Sequence, residues 1–369
     1  MKVESISIQN FKLFENLEVS FTNSILEEVS NRFLILGDNG TGKTTLLQAI
    51  ALPLALATRQ ISSVADFDWM GFIPGRYQNN GNCRIELKVL FEDEEIEATK
   101  KVAKRWYESL PDEFKKDRDF VEPGNSKSVR VILNDEYWKA GSNEAESLQF
   151  LGRFYAQKLL KSDPSIRQEF PKLPGIFYFD QFRQKQMSNP YAELTRDSFK
   201  NSPGGVYAEL AFGGRLRQYL IESKVMEKLG DKYSNNGWLI QLGELYNKFF
   251  PERSFGDVEY GLSWDSLEEN IYFTLKDGKH SYDLAEMSGG ELSIFPILYE
   301  FAREKIGSSV VLIDAIDLNL HPPGAQLLVR QIRKIKPVNQ FILTTHSEAV
   351  RDLISVENTY RFKGGSICL

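Results

Sequence analysis

The opening of the chain alternates between apolar and polar positions, which predicts strands at ESISIQNF and NLEVSF. The apolar run RFLILG then predicts a buried strand ending at Gly37. A helix is expected from Thr44 through TTLLQAIALPLALA, with Pro53 kinking or shortening it. CRIELKVLFEDEEIEAT and SVRVILNDEYW read as sheet, Glu144 to Leu160 as helix, and GIFYFD as a strand running up to Asp180. The stretch 188–205 is polar and rich in turn residues, so it reads as a loop or lid. Two helical patterns follow, GRLRQYLIESKVMEKL and GWLIQLGELYNKFF. The second carries Trp238, Leu242, Leu245, Tyr246 and Phe249 on one stripe, the pattern of a packing face. Strand patterns return at NIYFTLKDG, SVVLID and QFILTTHSE.

Composition adds limits. With 369 residues, 42% hydrophobic and 26% charged, the chain can bury one large α/β core or two lobes. A net charge of −6 argues against a protein that coats DNA indiscriminately, although it allows a local basic channel. The run KKVAKR at 100–105 reads as a solvated strand edge or helix face rather than a phosphate site. Two cysteines, Cys83 and Cys368, are too few for a disulfide framework or a zinc site and fit a reducing compartment. The start lacks a signal-peptide run, and no stretch reaches the ~18 apolar residues of a membrane span, so a cytoplasmic protein is expected, with no membrane partner.

Three motifs carry chemistry. GDNGTGKTT, residues 37–45, fits G-x-x-x-x-G-K-[ST] through Gly37, Gly42, Lys43 and Thr44. Backbone N–H groups across Gly37, Asn39, Gly40, Thr41, Gly42 and Thr45 would wrap a polyphosphate at the start of a helix. Lys43 would bridge the outer phosphates, and the Thr44 hydroxyl would meet Mg²⁺. The apolar strand ending at Asp314 offers a second Mg²⁺ contact. MSGGE, residues 287–291, opens another helix, so Ser288, Gly289 and Gly290 form a second anion-binding start. Two such starts in one chain suggest a sandwich, each nucleotide lying between the phosphate loop of one copy and the Ser-Gly-Gly of another.

The order of these motifs resembles the RecF/SMC-like branch of ABC-type AAA family ATPases, close to the ATPase modules of OLD and Septu phage-defence families. ISIQNFKLFENLEVSF, the phosphate loop, MSGGE, VVLIDAIDLNLHP and LTTHS carry the resemblance, while residues 60–280 match only in outline. It implies an α/β fold: a two-lobed ABC-type ATPase head of the P-loop NTPase class with a helical insertion between the lobes. Lobe I would span 1–182, the helical insertion or lid 183–255, and lobe II 256–369. Ser288, Gly289 and Gly290 resemble the signature motif that contacts the γ-phosphate in trans. His346 resembles the switch histidine, and Gln181 the Q-loop glutamine that touches Mg²⁺ and the attacking water. Asp317 to Pro322 would form the D-loop region at the dimer seam.

Ala315 departs from the pattern, because the family places a Glu there to orient and deprotonate the attacking water. With the other motifs intact, Ala315 reads as a replacement that blocks hydrolysis and holds ATP; a natural non-hydrolysing relative is the alternative. The resemblance implies a homodimer closed by ATP and Mg²⁺ that acts as sensor and scaffold for a separate effector, a nuclease or toxin, in prokaryotic antiphage defence. DNA or a phage component is a further candidate partner. The rivals are a RecF-like repair ATPase that binds DNA directly, and, less favoured, a membrane transporter subunit. Long heptads are absent, which excludes SMC-type arms, and little chain follows His346 to supply a fused nuclease.

Overall fold

The computed structural model describes residues 1–78, 81–116, 119–181, 220–225, 228, 237–262, 269–335 and 338–362. Its strands are β1 Lys2–Phe11, β2 Phe14–Ser20, β3 Arg32–Leu36, β4 Arg84–Leu90, β5 Ser128–Asn134, β6 Tyr137–Ala140 and β7 Gly175–Phe179. They continue with β8 Arg253–Leu262, β9 Glu269–Asp277, β10 His280–Asp283, β11 Ser309–Ile313, β12 Gln340–Thr345 and β13 Thr359–Arg361. The longer helices are α1 Lys43–Ala57, α2 Asp93–Ser109, α3 Gly152–Leu159, α4 Gly237–Phe249, α5 Gly289–Glu304 and α6 Pro322–Ile335. The expected lid at 188–205 lies outside the described residues, and of GRLRQYLIESKVMEKL the segment 220–225 is described, as helix.

The chain forms two compact units that do not follow chain order. Met1–Gln181, Lys305–Asp317 and Ile332–Leu369 make the first, and Phe182–Glu304 with Leu318–Gln331 the second. The segments bearing Asp314 and His346 thus share a unit with the phosphate loop, because β11 and β12 pair into the sheet that contains β3.

The first unit holds two five-stranded sheets. One is antiparallel, in the order β2-β1-β4-β5-β6, and the other parallel, in the order β13-β3-β12-β11-β7. Every residue of β11 and β12 is buried, as expected of parallel strands covered on both faces. Helix α1 packs against strands of both sheets and is buried from Thr45 to Ala57. A helix apolar on all sides belongs inside a core. That enclosure explains why Pro53 does not shorten the helix: it continues to Ala57, its lost N–H bond outweighed by packing.

The sheet expected across FEDEEIEAT is a helix instead. Glu92 caps α2 reciprocally with Glu95, and Asp93, Glu94 and Glu95 place carboxylates in the positive first turn. Ile96, Thr99, Val102 and Ala103 then face inward at helical spacing. The KKVAKR run lies on this helix, where Lys101 pairs with Glu169, Arg105 with Asp163 and Lys100 with Glu97. The expected charged helix face is what forms.

In the second unit the expected stripe on α4 buries Trp238, Leu242, Tyr246 and Phe249, with Leu239 added and Leu245 half-buried. It packs on α5 and β8, Tyr246 stacking on Phe255 at 5.5 Å.

Ile342 sits fully buried in β12, the middle strand of the parallel sheet. Ile342→Ala is expected to lower unfolding stability by about 2–5 kcal/mol, read from the urea midpoint at unchanged m-value.

Candidate functional site

The strands of the parallel sheet all end at one edge, and the edge beyond the carboxyl ends of parallel strands is where α/β proteins bind ligands. There β3 delivers the phosphate loop, β11 Asp314, β12 Thr345 and His346, and β7 Asp180 and Gln181. The loop 37–42 closes tightly. Thr41 Oγ1 donates to the Asp38 carbonyl at 2.8 Å. Gly42, at φ 100°, lies so close to the Phe14 ring that a Cβ would sit 2.6 Å from it. Gly37 and Thr41 are half-buried, whereas Asn39 and Gly40 are exposed.

Lys43 Nζ curls back over the loop, donating to the Gly37 carbonyl at 2.7 Å and the Asp38 carbonyl at 2.9 Å. Burial pushes its amine below the usual lysine range, opposed by the charges of Asp314, Asp38 and Asp317. Thr44 is half-buried and Thr45 buried behind it.

Thr44 Oγ1 donates to Asp314 Oδ2 at 2.6 Å, which joins the first turn of α1 to the end of β11. Asp314 is 3% exposed, and its other oxygen accepts from Thr344 Oγ1 at 2.5 Å. A hydroxyl and a carboxylate make an oxygen donor set that suits Mg²⁺. That ion usually keeps water and phosphate ligands, so one or two protein donors suffice. Among the described residues no cluster of three or more His, Cys, Asp or Glu could cage a metal. The fit is therefore to a metal that arrives with a phosphate ligand.

Ala315 follows at φ 44°, its N–H donating to Thr344 Oγ1 at 2.7 Å. The Ile316 N–H donates to the Thr344 carbonyl at 2.9 Å, so this turn is latched to β12. His346 is exposed, with Nδ1 3.8 Å from Asp317 Oδ2, and Asp317 also accepts from Thr345 Oγ1 at 2.5 Å. Gln181 is exposed at the end of β7.

Ser288, Gly289 and Gly290 belong to the second unit. The Ser288 N–H and Oγ both donate to Glu291 Oε2, at 2.9 and 2.8 Å. Glu291 is buried and also receives Tyr246 at 2.5 Å, Tyr282 at 2.7 Å and the Arg253 guanidinium. Asn319 and Leu320 lie against Gly289 and Gly290. Arg253, Ser288, Gly290, Glu291, Asn319 and Leu320 border a cavity of about 510 Å³ whose wall also includes Phe249 and His321.

Sequence reasoning missed Thr344, Thr345 and the Glu291 cluster. Ser288 and Glu291 stand three apart at a helix start, a capping-box spacing that was legible in MSGGE. Nothing local linked Glu291 to Arg253, Tyr246 and Tyr282, which come from three other elements.

Burial pushes the Glu291 carboxyl up, but hydrogen bonds from Arg253, Tyr246, Tyr282 and Ser288 outweigh it and hold it at about 2, below the ordinary 4.5. A depressed folded value means that its stabilisation is complete above about 4.5 and is lost as pH falls toward 2. Glu291→Gln is expected to cost about 1–3 kcal/mol at neutral pH. It should also flatten the acid limb between these values, followed by thermal melting across pH.

The family described as "AAA domain, putative AbiEii toxin, Type IV TA system" matches residues 33–352. The protein called "Retron Ec83 probable ATPase" of Escherichia coli is 24% identical over 427 aligned positions, covering 99% of this chain and 72% of the relative. "Septu protein PtuA" of Bacillus mycoides (strain KBAB4) is 24% identical over 96% of this chain but 40% of its own length. Among solved structures, an SMC head bound to the C-terminal winged-helix domain of ScpA aligns with a TM-score of 0.51 and 15% identity, covering 95% of this chain and 91% of that one. At that identity the likeness concerns the fold alone. No helix among the described residues is long and apolar enough to cross a membrane. The resemblance drawn from the motif order holds at the level of family and fold: the chain belongs to the AAA-domain family so described, with the SMC-head form of the P-loop NTPase fold.

Proposed function

We propose that this chain binds ATP with Mg²⁺, pairs with a second copy around the nucleotide, and serves as the ATP-gated sensor and scaffold for a separate effector, a nuclease or toxin, in antiphage defence. The observation that carries the nucleotide reading is the Thr44–Asp314 hydrogen bond, which sets a hydroxyl and a carboxylate together at the mouth of the phosphate loop. The names of the relatives, a retron ATPase and Septu PtuA, support the defence setting.

In this reading the backbone N–H groups of Gly37, Asn39, Gly40, Thr41, Gly42 and Thr45 cradle the phosphates. Lys43 leaves the Gly37 and Asp38 carbonyls to reach the outer phosphates. Thr44 and Asp314 would hold Mg²⁺, with Gln181 as a further contact. When bound, the ion neutralises charge on the β- and γ-oxygens. His346 would address the γ-phosphate, with Asp317, which accepts from Thr345, 3.8 Å away. Ser288, Gly289 and Gly290 of a second copy cover the nucleotide from the opposite side.

Ala315 stands where the water-activating Glu is expected. Its methyl group accepts no proton, so the bound nucleotide turns over slowly and the paired state is held. Any L residue at φ 44° bears a similar backbone cost, so a carboxylate can be introduced there without new strain. Ala315→Glu is expected to raise ATP turnover about 10²–10⁴-fold with little change in nucleotide affinity, measured by phosphate release and calorimetry.

Lys43→Ala is expected to weaken ATP binding about 10²-fold or more, through loss of a charge that pairs with phosphate. In sedimentation velocity the unaltered chain should form a dimer with ATP and Mg²⁺, and Lys43→Ala should stay monomeric. A chain that remains monomeric at saturating ATP would overturn the paired reading.

A further inference from the structure

Three of the most exposed large apolar side chains among the described residues lie on two segments joined by hydrogen bonds to Asn358. Ile25 and Leu26, 71% and 67% exposed, tip the loop between β2 and β3, and Val356, 84% exposed, starts the short turn before β13. Exposed apolar residues scattered singly need no explanation, but a cluster on an ordered frame does.

The frame is ordered. Asn23 Oδ1 accepts from the Ile25 and Leu26 N–H groups at 2.9 and 3.0 Å. Asn23 N–H donates to the Glu28 carbonyl at 2.8 Å, and Glu27 N–H returns to the Asn23 carbonyl at 2.9 Å. Asn23 Nδ2 donates to Asn358 Oδ1 at 3.0 Å, and Ser30 Oγ to the same oxygen at 2.5 Å. These bonds clasp the Ile25 loop to the Val356 turn across more than three hundred residues of chain. The apolar tips are thus presented by a braced surface, and their exposure does not come from fraying.

Within segments 21–31 and 352–360 every charged residue is acidic, with Arg32, Arg351 and Arg361 lying just outside them. Glu27 and Glu28 are exposed and Glu357 half-buried beside the three apolar residues. None of these three makes an ion pair among the described residues, and neither 21–31 nor 352–360 contains Lys or Arg. Both segments enter the parallel sheet at the amino ends of their strands. The phosphate loop leaves β3 at the opposite end, five residues and roughly 17 Å away. An occupant here leaves the nucleotide edge free.

We propose that Ile25, Leu26 and Val356, rimmed by Glu27, Glu28 and Glu357, form a docking surface for a protein partner that presents apolar side chains flanked by Lys or Arg. Carboxylates would repel the phosphates of nucleic acid. A second copy related by a two-fold axis would bring like charges together, so self-pairing here is disfavoured. A basic, apolar segment gains burial from the tips and steering from the rim.

The test uses the full chain and two synthetic amphipathic helical peptides with the same leucine face, one with lysine and one with glutamate on its polar face. Fluorescence anisotropy should show the lysine peptide binding and the glutamate peptide not. The double variant Ile25→Asp, Val356→Asp should weaken the lysine peptide at least tenfold. It adds two negative charges, so a purely electrostatic contact would tighten instead. Unchanged or tighter binding by the variant, or equal binding of both peptides, overturns the proposal. A double variant that loses self-association assigns the surface to a second copy, and one that loses duplex DNA binding assigns it to nucleic acid; either result also overturns it. ATP affinity and melting temperature of the variant should match the unaltered chain, which separates this surface from the nucleotide reading.

Discussion

Asp314 is a buried carboxylate held from two sides, by Thr44 at the start of α1 and by Thr344 at the end of β12. Hydrogen bonds to a charged group contribute about 1.5–3 kcal/mol each, and a buried carboxylate without them would carry a large desolvation cost. The two threonines therefore do more than accompany the acid; they supply hydrogen bonds that its burial requires. The same bonds tie three stretches of chain far apart in sequence into one edge, with the phosphate loop above it. The parallel register makes this available, since β3, β12, β11 and β7 all deliver their ends to the same side.

The second unit solves a related problem with local parts. Glu291 sits one turn into α5, satisfied by Ser288 behind it and by Arg253, Tyr246 and Tyr282 from neighbouring elements. Its hydrogen bonds occupy the carboxylate fully and pin the entry to the helix. Gly289 and Gly290 bring no side chains to that entry, and their nearest neighbours are Asn319 and Leu320. A rigid helix tip with a bare backbone is the form that close approach by an anion requires.

Ala315 sits in a turn whose fixing does not depend on its side chain. The turn that carries it is fixed by its own N–H and by the Ile316 N–H, both directed to Thr344. None of these bonds uses the side chain at 315, so its identity bears on chemistry and hardly on architecture. In the proposed reading, binding and turnover would thereby be separable, which suits a protein whose role is to hold a state.

The sequence by itself determined the glycine-rich loop 37–42 between strand and helix, the buried strand ending at Asp314 and the Ser-Gly-Gly helix start. Each depends on local features: glycines at fixed spacing, an apolar run ending in an acid, a serine before a helix. Local pattern failed at α2, where FEDEEIEAT was read as sheet despite the capping signal of Glu92 and Glu95, and Pro53 did not shorten α1 because burial on every side carried the helix onward. Only the tertiary structure decided that 305–317 and 332–369 return to the first unit, that Thr344 completes the shell of Asp314, and that Asn23 meets Asn358. These depend on strand pairing and side-chain contacts between segments separated by tens to hundreds of residues. No local propensity or spacing encodes such meetings, because they follow from how whole elements bury their apolar faces together.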